Sequence, residues 1–228
     1  MLSLDVFKTH VFQSQEEPLE ISGEPGKTPI MRWAGSKRKL LSTLLNAAPS
    51  KFNNYYEPFF GSGVFFLNLD VSSSIVSDSN PHLIQAYEVL RDSPELLWAV
   101  LRSISSDEKA YYDIRNLEFE KMDSLSRAAR FIYLNRYCFN GVYRTNRQGG
   151  FNVSRGRGNL GIPSREIFVS FSDKLRSTSI SCSDFEQIVD QASNNDFVYL
   201  DPPYIDQSKR DRGEYGAGSF GEHDLERL

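Results

Sequence analysis

The chain has 228 residues, of which 39% are hydrophobic and 25% charged, and its formal net charge is −4 at pH 7. This length fits one large domain or one domain with a second inserted, and no apolar run approaches the roughly 18 residues of a membrane-spanning helix. Charged residues among the first 25 argue against a secretory signal. Two cysteines and three scattered histidines predict neither a disulfide framework nor a zinc site, and they favour a reducing cytoplasm.

The acidic net charge conceals a strongly basic segment. Residues 127–176 hold ten Arg or Lys and only two acids, Glu166 and Asp173. Because polyanion binding depends on the local field rather than on the net charge, this segment predicts a nucleic-acid partner. A basic face that is merely solvated is the alternative.

The first predicted elements follow a polar start. Residues 1–28 are polar and acidic without a clear period, and we expect them to form an N-terminal extension. Leucines at helical spacing predict a helix over 36–48, with Ser36 as its N-cap and Pro49 as its stop. Short strands are then predicted at 55–58 and 75–78, and helices at 82–91, 94–103 and 124–138.

The segment 140–165 differs in composition from the segments before it, because it holds six glycines and five arginines but few long apolar runs. This composition predicts loops and a hairpin rather than core. A strand that begins at Ile180, a helix over 184–192 and a strand over 196–200 follow. Strands and helices alternate on both sides of the basic segment, which predicts an α/β sheet with an insertion.

A glycine-containing turn, FFGSG at 59–63, follows the first predicted strand of this sheet. Its two glycines allow the backbone to turn sharply and to approach a ligand closely. Asp78 ends the next strand, where a carboxylate can accept both hydroxyls of a ribose. The third glycine of the dinucleotide fingerprint is missing, which favours a nucleoside without a pyrophosphate. A plain turn before a helix is the alternative.

The last predicted strand ends at Asp201-Pro202-Pro203-Tyr204. The two prolines stiffen this turn and remove two N–H groups, which leaves carbonyl oxygens available as acceptors. A fixed carboxylate beside a proline carbonyl can accept both protons of a planar amino group and free its lone pair for attack, while Tyr204 can stack on a flat base. A rigid turn without chemistry is the alternative.

Two further segments carry candidate binding residues. Trp33 is placed to cover a cofactor, and Lys37 to reach its carboxylate or to support the acidic site; a core tryptophan and a solvated lysine are the alternatives. The run 140–153 interleaves Arg, Asn, Gln and Tyr with glycines. This pattern suits a hairpin in a DNA groove, where Arg reads guanine and Asn or Gln reads adenine, although a mobile surface loop is the plain alternative.

Together these motifs resemble those of the Dam-like, alpha-group DNA adenine methyltransferases over about residues 29–228. The runs that carry the resemblance are WAGSK (33–37), EPFFGSG (57–63), SDSN (77–80), YLNR (133–136), NGVYRTN (140–146), GFNV (150–153) and DPPY (201–204). The resemblance implies an α/β, Rossmann-like methyltransferase sheet with an inserted, mostly helical target-recognition domain. It also implies methyl transfer from S-adenosylmethionine to the exocyclic amine of adenine in double-stranded DNA, after the base has been flipped out of the helix.

The resemblance gives roles to individual residues. The expected cofactor contacts are Trp33, Ala34, Gly35, Lys37, Glu57, Pro58, Phe59, Gly61, Ser62, Gly63, Asp78, Asp184, Phe185 and Asp201. The expected catalytic group is Asp201, Pro202, Pro203 and Tyr204, without a metal ion. The expected DNA contacts are Arg130, Asn140, Tyr143, Arg144, Asn146, Arg147, Gln148, Asn152, Arg155 and Arg157.

The resemblance also implies a division into domains. A discontinuous cofactor-binding catalytic domain is expected over 29–82 and 176–228, with the target-recognition domain over 83–175. Members of this family usually continue with further strands beyond the region that matches 215–220. We therefore expect a sheet that lacks C-terminal strands, with an exposed edge that a dimer or a partner chain covers. The implied location is the cytoplasm of a prokaryotic or phage-infected cell.

Three rival hypotheses stay open. A non-catalytic remnant of the same fold would bind DNA or cofactor without turnover. An enzyme that methylates the exocyclic amine of cytosine shares the acidic Pro-Pro-aromatic chemistry, although Asp201 in first place favours adenine. A protein-glutamine methyltransferase usually has Asn in that place, and the basic insertion argues against it.

Overall fold

The computed structural model describes residues 20–21, 23–146, 148–157, 161–203 and 220–228. Most of the predicted N-terminal extension therefore lies outside the described residues. The strands are β1 (Glu20–Ile21), β2 (Tyr55–Glu57), β3 (Ser74–Asp78), β4 (Ile162–Pro163), β5 (Thr178–Cys182) and β6 (Phe197–Val198). The α-helices are α1 (Leu41–Ala47), α2 (Val64–Asn68), α3 (Pro81–Asp92), α4 (Pro94–Ser103), α5 (Glu108–Asn116), α6 (Ser124–Tyr137), α7 (Arg165–Arg176), α8 (Phe185–Val189) and α9 (Glu222–Arg227).

Four parallel strands form the main sheet, in the order β5-β3-β2-β6. Tyr55 of β2 is in register with Ser74 of β3 on one side and with Phe197 of β6 on the other. All three residues of β2 are buried, as is typical of a parallel strand that is covered on both faces. This parallel sheet with helices between its strands confirms the predicted α/β class. The carboxyl ends of parallel strands lie at one edge, so the segments that follow β2, β3 and β6 meet there.

The turn between β3 and α3 is fixed by a helix cap. The side chain of Asn80 accepts hydrogen bonds from the backbone N–H groups of His82 and Leu83, at 3.0 and 3.2 Å. Pro81 fits the first helical position, where its missing N–H group is not needed. The cap therefore holds the backbone that directly follows Asp78.

Helix α6 is the buried, central helix of the helical layer. Every residue from Ala128 to Tyr137 is buried, because α3, α4 and α5 pack against this helix. Helices α3 and α7 in turn pack against β5, and one apolar cluster extends from Ile30 through Val76 of the sheet to Phe171 of α7. The helices predicted to form a recognition domain thus share their core with the sheet, and the domain limits stay a prediction.

Several elements differ from the sequence-based expectation. The helix predicted over 36–48 begins as a 3-10 turn over Lys37–Leu40, and only α1 is α-helical. Helices α5 and α7 were not predicted. Helix α7 buries Ile167, Phe171 and Leu175 at helical spacing, but its first residue still belongs to the run rich in Gly and Arg, which obscures the pattern.

Part of the basic segment 127–176 is buried inside the protein, whereas the sequence-based expectation is that the segment presents its charge to a partner. Arg136 is 6% exposed and donates three hydrogen bonds, two to the carbonyl of Gly161 and one to that of Ile30. Arg130, which the resemblance places on DNA, is 8% exposed and donates to two backbone carbonyls at the end of α5. Arg130 therefore has a structural role in the interior, and its contact with DNA stays a prediction.

The Arg136→Met substitution tests this structural use of a buried cation. Methionine fills a similar volume but leaves two buried carbonyls without donors, so we expect the free energy of unfolding to fall by about 2–4 kcal/mol. Urea unfolding measures the change. Arg176→Met is the matched control, because Arg176 is exposed and pairs with the exposed Asp173 on its own helix. An equal, small loss in both variants would contradict the assignment.

Candidate active site

A cleft opens at the carboxyl ends of β2, β3 and β6, where open parallel sheets generally bind their ligands. The space within the cleft, including the part that is open to solvent, is about 1090 Å³. All predicted cofactor residues except Gly63 line it, and Pro202 and Pro203 line it as well. Residues far apart in the chain thus surround one ligand-sized space.

The loop after β2 is held close to its neighbours at Gly61. Its N–H group donates to Asp78 Oδ2 at 3.0 Å, and its carbonyl accepts from the hydroxyl of Tyr87 at 2.8 Å. The backbone has a φ of +47°, and a Cβ atom here would stand 2.7 Å from the ring of Trp33. Both features require glycine, so the loop brings bare backbone to the wall of the cleft.

Gly63 departs from the prediction. It lies at the start of α2 with a φ of +63°, and a Cβ atom here would stand 2.8 Å from the ring of Phe60 and 3.3 Å from that of Phe171. Gly63 is therefore required by packing behind the loop, and it does not line the cleft.

Asp78 bridges two backbone amides at the end of β3. Its Oδ2 atom accepts from Gly61 and its Oδ1 atom from Asn80, at 3.0 and 2.9 Å. Burial raises the pKa of Asp78 to about 6, although both hydrogen bonds act in the opposite direction. Each carboxylate oxygen retains a lone pair for a hydroxyl donor, which is the chemistry that a ribose requires.

Lys37 and Asp201 form an ion pair across the cleft. The ammonium nitrogen lies 2.5 Å from Asp201 Oδ1, and it also donates to the carbonyl of Gly35 at 2.8 Å. The two side chains are 15% and 24% exposed, so the pair is partly shielded from water. Lys37 opens the 3-10 turn before α1, whereas Asp201 follows β6. The pair therefore joins distant parts of the chain and fixes the carboxylate beside Pro202.

A second carboxyl group, that of Glu57, forms part of the cleft wall. It is 3% exposed and accepts a hydrogen bond from the hydroxyl of Tyr55 at 2.8 Å. Burial raises the pKa of Glu57 to about 8, and the nearby carboxylates Asp201 and Asp78 act in the same direction. Glu57 is consequently mostly protonated at neutral pH when no cation is near it.

Aromatic rings enclose the end of the cleft formed by α8 and α9. The rings of Phe59 and Phe185 are stacked, with centroids 5.3 Å apart, and Phe220 packs against both at 5.6 and 5.8 Å. Asp184 caps α8 by accepting from the backbone N–H of Glu186 at 3.0 Å. Flat apolar faces beside a carboxylate suit a purine that carries an amino group.

The hairpin predicted in the basic segment is present. Thr145 and Phe151 form an antiparallel bridge, and the N–H group of Asn146 donates to the carbonyl of Gly150 at 2.8 Å. The side-chain oxygen of Asn146 accepts from the N–H groups of Gln148 and Gly150, both at 2.9 Å. The turn is thus held by its own asparagine, while the side chain of Gln148 is exposed.

The other predicted DNA contacts differ in how free their side chains are. Asn140 and Arg157 are exposed. The guanidinium of Arg144 donates to Asn152 at 2.8 Å, and that of Arg155 donates to a backbone carbonyl at 2.7 Å. These bonds stabilise the base of the hairpin, so Arg144 and Arg155 have structural partners in addition to any role on DNA.

Tyr143 connects the hairpin to the cleft. It is 9% exposed, and its ring lies 6.3 Å from that of Trp33 at an interplanar angle of 18°. It also borders a second cavity beneath the hairpin tip, together with Phe131 and Phe151. The cleft and the hairpin therefore share a continuous aromatic wall.

Residues 33–228 match the sequence profile of the D12 class N6 adenine-specific DNA methyltransferase family. The chain belongs to this family. Its class of reaction is therefore the transfer of a methyl group to the N6 amine of adenine in DNA, and the cleft with its Asp201-Pro202-Pro203 turn lies inside the matched region.

Three relatives show how far the similarity extends. The chain is 39% identical over 190 residues to the Type II methyltransferase M1.LlaDCHI of Lactococcus lactis subsp. cremoris, covering 79% of this chain and 67% of that protein. It is 34% identical over 224 residues to the Type II methyltransferase M.MjaIII of Methanocaldococcus jannaschii, covering 88% and 77%. It is 35% identical over 181 residues to the DNA adenine methylase of Escherichia coli K12, covering 77% and 64%.

The sequence-based site and the observed cleft differ at several positions. Tyr204 and Arg147, both predicted to contact DNA or its flipped base, lie outside the described residues. Phe220 and Asp224 line the cleft but were not predicted, because no strand end or glycine motif marks them. Phe139, at the edge of the hairpin segment, is 58% exposed and is not among the predicted site residues. The sequence did contain a signal for it, because an aromatic residue stands directly before a run of Asn, Arg and Gln residues of the kind that contact DNA.

The described residues contain no cluster of three or more His, Cys, Asp or Glu side chains that could hold a metal ion. Within the same part of the chain, none of the helices combines the length and apolar character needed to cross a membrane.

The Glu57→Gln substitution tests the protonation state of the cleft wall. The folded-state pKa of Glu57, about 8, lies above its usual value of 4.5, so the stability tied to the neutral form is complete at low pH and is lost as the pH rises toward 8. Glutamine stays neutral throughout. We expect the variant to match the wild type at pH 5 and to exceed its free energy of unfolding at pH 8.5 by more than about 1 kcal/mol. Urea unfolding at both pH values measures this, and parallel stability curves would contradict it.

Proposed function

We propose that the chain transfers the methyl group of S-adenosylmethionine to the N6 amine of an adenine that has left a DNA duplex, with Asp201 and Pro202 as the groups that hold this amine. The observation that carries the proposal is the Lys37–Asp201 pair, which fixes a carboxylate beside two prolines in the same cleft as Asp78.

The residues of the cleft fit S-adenosylmethionine at each of its chemical parts. Asp78 offers acceptor lone pairs for the ribose hydroxyls, and Phe59 and Phe185 offer flat faces for the adenine ring. The carboxyl group of Glu57 favours a positive ligand, because a cation stabilises its ionised form. When bound, S-adenosylmethionine would supply a methyl group that is already activated by the positive charge of its sulfur.

The chain's own contribution to catalysis is positioning. The Asp201 carboxylate accepts one N–H of the adenine amine and the Pro202 carbonyl accepts the other, so the nitrogen lone pair is directed at the methyl group. Lys37 keeps the carboxylate in place, and the proton released after transfer has Asp201 as its nearest acceptor. Holding two reactants in line in this way supplies several kcal/mol of barrier reduction, on the order of 7 or more in well-oriented systems.

DNA would be held by the hairpin and by the exposed residues at its base. Gln148 at the tip and the exposed Asn140 and Arg157 can reach base edges and phosphates. Phe139 presents an apolar ring to solvent, as do wedges that enter a base step and unstack it. Unstacking of this kind would lower the cost of moving the target adenine into the cleft.

Several finer points belong to the same proposal. Asp201 favours adenine as the base that is methylated, and the alternative reaction is methylation of the exocyclic amine of cytosine. A cytoplasmic location and a function beside a restriction nuclease are suggested by the Type II names of two relatives. Among the described strands β6 is an edge strand, and a second copy or a partner chain would cover its free side.

The Asp201→Ala substitution is expected to abolish methyl transfer, because the amine loses its acceptor and Lys37 loses its partner. We expect a fall in turnover of at least about 100-fold, with DNA binding largely retained. Transfer of tritiated methyl groups to duplex DNA measures the first quantity and fluorescence anisotropy the second. Asp173→Ala, which removes an exposed carboxylate on α7, is the control. Turnover retained by Asp201→Ala would refute the catalytic assignment.

The Phe139→Ala substitution is expected to weaken base flipping more than DNA binding. The fluorescence of 2-aminopurine in place of the target adenine reports the unstacked base, and we expect a smaller rise on binding to the variant. Leu96→Ala is the control, because Leu96 is similarly exposed, at 51%, but lies on α4. A fluorescence rise equal to that of the wild type would refute a wedge role for Phe139.

A further inference from the structure

Helix α9 is fastened beside the cleft by one arginine. The Nη2 atom of Arg227 lies 2.5 Å from Asp184 Oδ1 and 2.6 Å from Glu186 Oε2, and Nε lies 3.0 Å from the same glutamate oxygen. The Nη1 atom donates to Asp224 Oδ1 at 3.0 Å. All three guanidinium nitrogens are therefore engaged, which uses the planar fork that Arg has and Lys lacks.

The same guanidinium also lies over an aromatic ring of the cleft. Its central carbon is 4.8 Å from the centroid of Phe185, a distance at which a cation is attracted by the ring face. Phe185, Asp184 and Asp224 all line the cleft, whereas Arg227 and Glu186 do not. One side chain outside the ligand space thus contacts three side chains that form its wall.

The charges show what this arginine does locally. Asp184, Glu186 and Asp224 bring three negative charges to one place, and Arg227 is the cation that the structure puts among them. Without it, the carboxylates would repel one another, and Asp184 Oδ1 would lose its ion-pair partner while keeping its hydrogen bond from the N–H group of Glu186. Because the Arg227 side chain is still 26% exposed, its ion pairs contribute little to global stability. Its influence is therefore expected on local geometry.

We propose that Arg227 is a positioning residue that sets the nucleoside-binding end of the cleft. It holds the Asp184 carboxylate and the Phe185 ring for the adenosine part of the methyl donor, and it keeps α9 with Phe220 and Asp224 against the wall. It does not touch the reacting atoms at Asp201. This inference rests on the proposed function, in which the cleft takes S-adenosylmethionine.

The Arg227→Gln variant tests the inference by separating affinity from turnover. S-adenosylhomocysteine and 5′-methylthioadenosine share the adenosine part, and we expect the dissociation constants of both, measured by calorimetry, to rise about tenfold. The KM for S-adenosylmethionine should rise in parallel, while kcat at saturation stays within about twofold, as expected when ground-state and transition-state binding are lost equally. Arg227→Lys, which keeps the charge but not the fork, should fall between the variant and the wild type.

A double-mutant cycle tests whether Arg227 acts through Asp184. Asp184→Asn removes the charge that Arg227 holds, so adding Arg227→Gln in that background should weaken nucleoside binding clearly less than it does alone. Equal losses in both backgrounds would overturn the proposed route. Arg91→Gln is the matched control, because Arg91 forms a bidentate ion pair with Asp92 away from the cleft lining. Its Nε and Nη2 atoms lie 2.8 and 3.1 Å from the two carboxylate oxygens of Asp92.

The outcomes separate this inference from the proposed function. If the wild type binds neither nucleoside, the proposed function itself fails. If the wild type binds both and Arg227→Gln binds them equally well, or loses kcat rather than affinity, only the positioning role is overturned. Should Arg227→Gln fail to fold, Arg227→Lys carries the test, and wild-type affinity in a folded Arg227→Lys would contradict the role given to the fork.

Discussion

The parallel pairing of β2 with β3 and β6 is the constraint on which the site depends. Glu57, Asp78 and Asp201 lie far apart in the sequence, and they meet because three parallel strands end at the same edge of one sheet. A register shift of one residue would turn every side chain of a strand to the opposite face. The Gly61–Asp78 hydrogen bond joins the loop after β2 to the last residue of β3 and keeps these two strand ends aligned.

The same geometry places three carboxyl groups around one partly buried space, which is unfavourable in the absence of a positive ligand. Lys37 compensates Asp201, backbone amides compensate Asp78, and Glu57 is held mostly protonated with Tyr55 as its donor. A cation that enters the cleft relieves this repulsion. The electrostatics of the cleft therefore favour a positively charged methyl donor over its neutral product, which has lost the sulfonium charge.

The sequence was informative where chemistry follows a strand end. Gly61, Asp78 and Asp201 could be predicted because short apolar runs precede them and because turns at these positions need glycine or proline. Phe220 and Asp224 could not, since they come from a short helix and the segment just before it, whose approach to the cleft depends on tertiary contacts of Arg227 and Phe220 with Asp184 and Phe185.

The basic segment shows a different limit of prediction. A run of arginines predicts a surface that binds polyanions, but Arg136 and Arg130 donate hydrogen bonds to backbone carbonyls inside the helical layer. Composition does not distinguish an arginine that satisfies buried carbonyls from one that faces solvent, because both uses depend on where neighbouring helices end. The hairpin was predictable, since its glycines and asparagines are turn residues by their own chemistry.

We expect this cleft to methylate the N6 amine of adenine in duplex DNA. The most direct measurement is nucleoside analysis by mass spectrometry of duplex DNA incubated with the wild-type chain and S-adenosylmethionine. We expect N6-methyladenine to appear and N4-methylcytosine not to appear. Absence of N6-methyladenine, or N4-methylcytosine in its place, would contradict it.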